Sequence, residues 1–208
     1  MSNDLPFETV GMTAADVLTL EDTYVELKEK FNVNLPSSTD FQITDFDILK
    51  NDPDITTCAI LSIPNGTGNC YLLFARVHIY DRYARSGEII DYYRYKVFGV
   101  TVSKKDYGRV LVRRETFADK LIRLIHPFEL DFKDDKAFNN KWYVVSNDEE
   151  KALFSMSWNL RSAIMDINDE RMVIEITGST LLFGNNNWLD KEEIMHLAGN
   201  LLKIASCC

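Results

Sequence analysis

The chain is short of the residues and spacings that usually announce chemistry. In 208 residues it has three histidines, four cysteines and five prolines. The cysteines are Cys58, Cys70, Cys207 and Cys208, with no Cys-x-x-Cys among them. Adjacent cysteines cannot both face one ion from a regular helix, so no metal site is expected. Cys58 and Cys70 sit in apolar runs, where a free thiol behaves as a small core residue. No His-Glu-x-x-His, Gly-x-Ser-x-Gly, phosphate-loop or dinucleotide-binding signature occurs. No cofactor is therefore expected, and no residue is assigned a catalytic role.

Long apolar runs are missing too. The densest stretch, Tyr71–Tyr80, is interrupted by Arg76 and His78, and nothing approaches the roughly 18–20 apolar residues of a membrane span. Met1 to Thr13 carries acids and Pro6 rather than a basic leader before an apolar stretch. A secretory signal is not expected, and the chain reads as cytoplasmic.

What is present describes a packed core. Hydrophobic residues make up 46% of the chain and aromatics 12%, well above a disordered composition. The length suits a single domain. The best boundary candidate within it is Lys133–Asn140, separating a portion of helix plus antiparallel hairpins (residues 1–127) from an α+β lobe (128–208).

Periodicity supplies the elements. Thr13, with Asp16 three residues on, predicts a helix start, and Val17, Leu20, Tyr24, Leu27 and Phe31 then form one apolar stripe. Ile55–Ile63 and Asn69–Tyr80 flank Pro64-Asn65-Gly66-Thr67-Gly68, a hairpin signal. That glycine cluster joins two strands and precedes no helix, so it is not a phosphate cradle. The next strand is expected over Ile89–Val102, returning through Lys104–Gly108 into Arg109–Arg114, with antiparallel pairing because the turns are short. Thr116 to Ile125 reads as a short helix stopped by Pro127. Phe128–Phe132 and Lys141–Val145 are strand candidates, and Ser146 with Glu149 reads as a capping box. Ser157 opens a helix through Ile167. Met172–Ile176 and Ser179–Phe183 make a hairpin about Thr177-Gly178. Asp190 with Glu193 caps a last helix striped by Ile194, Leu197, Leu201 and Ile204. The expected fold class is α+β: a mainly antiparallel sheet with the N- and C-terminal helices packed against it.

Charge is segregated along the chain. Residues 1–75 carry a net −9, residues 76–123 a net +6 and residues 124–208 a net −6. Strand alternation places Arg76, His78 and Arg82 on one face of their strand, and Arg94 and Lys96 on one face of the next. A hairpin centred near Arg85–Ser86 would set Arg76 opposite Lys96 and His78 opposite Arg94. Opposed like charges destabilise a sheet, so an anionic partner or a covering acidic segment is expected. Arg109, Arg113 and Arg114 extend the basic set. The pI near 4.9 argues against nucleic acid.

Three stretches carry a resemblance: Tyr93–Val102 (YRYKVFGVTV), Arg109–Arg114 (RVLVRR) and Lys141–Ala152 (KWYVVSNDEEKA). In their order they resemble an uncharacterised bacterial family whose soluble α+β domain follows two transmembrane helices. The match covers roughly residues 68–205 and rests on residue class. The resemblance implies the α+β architecture, and the family has no assigned activity. This sequence has no spans ahead of Ile55, where the family carries them.

Two functional expectations follow. The first is a non-catalytic binding or scaffold module that meets a protein or anionic partner through a basic sheet face, or a further copy of itself through a flat surface. The second is a hydrolase-type enzyme using clustered acids with His78 or His196.

Overall fold

The computed structural model describes residues 5–39, 41–42, 46–50, 55–65, 70–81, 90–114, 129–185 and 187–208. In chain order the elements are α1 (Ala14–Phe31), α2 (Asp47–Lys50), β1 (Ile55–Ile63), β2 (Cys70–Asp81), β3 (Ile90–Val102), β4 (Arg109–Arg114), α3 (Lys136–Asn139), β5 (Trp142–Ser146), α4 (Glu149–Ser155), α5 (Trp158–Met165), β6 (Val173–Thr177), β7 (Thr180–Gly184) and α6 (Lys191–Ala205). The short helix expected from Thr116 lies outside the described residues.

The helices begin where the caps predict. The Thr13 hydroxyl accepts from the Asp16 amide at 3.2 Å and donates to the Asp16 carboxylate at 2.7 Å, satisfying a donor the helix leaves open. Leu20 and Leu27 are fully buried, while Val17, Tyr24 and Phe31 are only half-buried. Thr23 lies between the two leucines, its hydroxyl turned back to the Thr19 carbonyl at 2.6 Å. Asp190 accepts from the Glu193 amide to open α6, whose Ile194, Leu197, Leu201 and Ile204 are all buried. Each such side chain contributes about 1.5–3 kcal/mol of burial. At α4 the cap differs from expectation. Asp148 accepts from Lys151, and Ser146 instead accepts from the Asp148 amide, because the cap must sit one residue before the first helical one.

Seven strands form one sheet in the order β1-β2-β3-β7-β6-β4-β5, and every ladder is antiparallel. β3 and β4 are not neighbours, contrary to what their short connection suggests. The connection Ser103–Gly108 sends its hydrogen bonds to the tip of the β6–β7 hairpin: Ser103 to Ser179 and Tyr107 to Gly178, both at 2.8 Å, with Gly178 returning one to Gly108 at 2.7 Å. The hairpin is thereby wedged between β3 and β4. Glycine 178 takes φ +60 there, which an L side chain resists. The candidate strand Phe128–Phe132 reduces, over its described residues, to a single bridge from Glu129 to Val145.

The β3–β7 seam is interlocked. A Cβ on Gly99 would lie 2.7 Å from the Phe183 ring, and one on Gly184 would lie 2.7 Å from the Phe98 ring. Each glycine leaves the space that the facing phenylalanine fills.

Alternation sorts the strands into two faces. One buries Leu61, Leu72, Phe74, Val97, Val112, Ile174 and Phe183 with the stripes of α1, α5 and α6 in the main core. α6 lies on β2 and β3, with α1 and α5 against it. The opposite face carries a smaller core of Tyr71, Leu73, Phe98, Val100 and Leu182, roofed by Phe46 and Leu49 of the α2 segment. That roof reaches β6 but stops there. Beyond it, the same face of β4, β5 and β6 is a groove.

Candidate functional site

The basic residues singled out in the sequence do not form one patch. The β2–β3 register pairs Arg76 with Tyr95, His78 with Tyr93, Val77 with Arg94 and Ala75 with Lys96. It differs by one residue from the expected pairing, and a one-residue shift moves a strand's side chains to the other face. Arg76 and His78 therefore share the helix-bearing face, while Arg94 and Lys96 share the opposite one. No like charges are opposed. Arg82 lies outside the described residues.

Arg76 is only 8% exposed. Its guanidinium donates to the Val10 carbonyl and lies 3.8 Å from the centre of the Tyr93 ring. His78 stacks on Tyr93 at 4.6 Å, its Nε2 lying 2.9 Å from Asp91 Oδ1. The strap over this cluster is the N-terminal segment. The Tyr93 amide donates to Gly11 O at 2.9 Å, and the Tyr95 hydroxyl to Glu8 O at 3.1 Å. Arg94 pairs with Asp16 of α1 at 3.4 Å. Arg94 and Lys96 both sit over the Trp188 ring, at 5.0 and 4.9 Å. Arg114 faces the core, donating to Ile167 O at 2.8 Å above Trp142. Burial lowers its pKa below the ordinary guanidinium value. These cations are committed to the fold.

Arg109 and Arg113 lie apart from them, on β4. They alternate with Leu111 on the open face of β4, where the ladders define three rows across the strands: Thr177 beside Arg109, Glu175 beside Leu111 beside Val145, and Val173 beside Arg113 beside Tyr143. The groove over these rows has a volume of about 800 Å³. Its floor is apolar (Leu111, Val145, Val173), and Arg171 joins Arg113 at one end. The Arg113 guanidinium lies 5.0 Å from the Tyr143 ring centre. The Arg171 side chain is 66% exposed, 3.4 Å from Glu193 and 3.9 Å from Asp169.

In the middle row, beside Leu111, stands Glu175, which is 3% exposed. Its two oxygens accept from the Asp47 and Ile48 amides, both at 2.9 Å, and so hold the first turn of α2. Arg109 bridges the pair, 2.9 Å from Asp47 and 3.5 Å from Glu175. The hydrogen bond from Lys50, first, and the charge of Arg109 hold the Asp47 pKa below its usual value. Chemically, the groove offers apolar residues flanked by arginines that already meet acids of the fold, Arg171 with Glu193 and Asp169 and Arg109 with Asp47 and Glu175.

A second cleft, about 770 Å³, lies between residues 166–172, residues 185–190 and α6. His196 is on its wall, together with Asp169, Asp190 and Glu193. Those carboxylates are engaged in structure. Asn185 donates to Asp169, Asn187 donates to both oxygens of Glu193 at 3.0 and 2.9 Å, and Asp190 caps α6. His78 and His196 lie on different elements with different neighbours. Among the described residues no three His, Cys, Asp or Glu side chains are grouped to hold a metal, and no helix is long and apolar enough to cross a membrane.

Sequence reasoning missed Arg171, Glu175 and the apolar floor. The signal for the floor was present in the alternation Arg109-Leu111-Arg113, which puts an apolar residue between two arginines on one face. Glu175 had no signal, since one acid within an otherwise apolar strand reads as a solvent-facing position. Comparison with family models, curated proteins and solved structures yields no match for the chain.

Proposed function

We propose that this chain is a non-catalytic binding module whose site is the groove on the open face of β4, β5 and β6, and that its ligand is anionic. The observation that supports this is the pairing of an apolar floor with Arg113 and Arg171 at one end. Ligand sites are commonly concave and mostly apolar, with a few convergent polar groups that set orientation. Arg76, Arg94, Lys96 and Arg114 do not line this groove. In this groove basic groups meet a cavity of ligand size.

The test is calorimetric titration of the pure protein with inorganic phosphate, nucleotides, heparin and alkyl carboxylates at low and high salt. Binding should weaken with salt, be lost in the double variant Arg113→Ala, Arg171→Ala, and survive Arg94→Ala. Binding that survives the groove variant but is lost with Arg94→Ala would move the site to the cluster of Arg94, Lys96 and Trp188 and sink this assignment.

A further inference from the structure

We draw no further inference here: the strongest candidate, the exposed aromatic side chains of Phe154 and Trp158 on either side of the α4–α5 junction, is an apolar surface feature, and nothing among the described residues shows what covers it.

Discussion

Among the described residues, Glu175 is the only buried carboxylate, and it carries a connection between segments far apart in the chain. Replacing it with alanine removes both acceptors of the α2 amides. A hydrogen bond to a charged group contributes about 1.5–3 kcal/mol. Two such bonds are lost, offset partly by relief of the desolvation a buried carboxylate suffers, so Glu175→Ala should cost about 2–4 kcal/mol. Glu175→Gln keeps one carbonyl acceptor but turns an NH2 group toward an amide donor, so it should lose about half of that, roughly 1–2 kcal/mol. The assay is urea denaturation followed by tryptophan fluorescence, with amide exchange at Ile48 as the local readout. The midpoint should fall in the order wild type, Gln, Ala, with an unchanged slope. Ile48 exchange should accelerate more than exchange in β7. If glutamine and alanine are indistinguishable, or both lie within about 0.5 kcal/mol of wild type, the carboxylate does not pin α2.

Three further tests concern other parts of the fold. Arg161 is 4% exposed and bonds Asp134 at 2.7 Å, Asp135 at 3.1 Å and Met156 O at 2.8 Å; Arg161→Ala should cost about 2–3 kcal/mol, the worth of hydrogen bonds to a charged group less the screening at exposed Asp134, measured by thermal or urea melts. Gly99→Ala drives a methyl group into the Phe183 ring and should cost about 1–3 kcal/mol, whereas Gly199→Ala, which meets nothing within 4 Å, should not destabilise. Burial pushes the Cys70 and Cys208 thiols up to about 11 from 9.0. The folded chain then holds protons that the unfolded chain releases, so stability is full below pH 9 and falls as pH rises toward 11. Alkylation of Cys70 at pH 8 should be slow in the native protein and fast in urea; rapid native labelling would contradict its burial.

The legible parts of this fold were local ones. Thr13, Ser157 and Asp190 announce helix starts because a cap acts on amides two or three residues away. The stripe in α6 and the hairpin about Thr177-Gly178 are also short-range patterns. Sheet order is not, since nothing within Lys104–Gly108 says that its hydrogen bonds go to Ser179 and Gly178. The partner assigned to Arg76 failed for a related reason. Alternation within β2 was correct, but the pairing across to β3 depends on a turn whose length decides register, and one residue exchanged Lys96 for Tyr95 as its neighbour. Of the groove, Arg109 and Arg113 were named, while Arg171 and Glu175 come from elements that only the sheet brings beside β4.

The sheet order also bears on how the chain is made. Synthesis delivers β3 and β4 long before the hairpin that separates them. At about 5–20 residues per second, β7 follows β4 by several seconds. During that interval the seats for β6 and β7 are empty, and the edges of β3 and β4 show unsatisfied amides and carbonyls. Such edges recruit any strand that is available. A nascent chain must avoid joining β3 directly to β4, the pairing that their short connection invites. In the native order β3 meets β7 through the paired fits of Gly99 to Phe183 and Gly184 to Phe98.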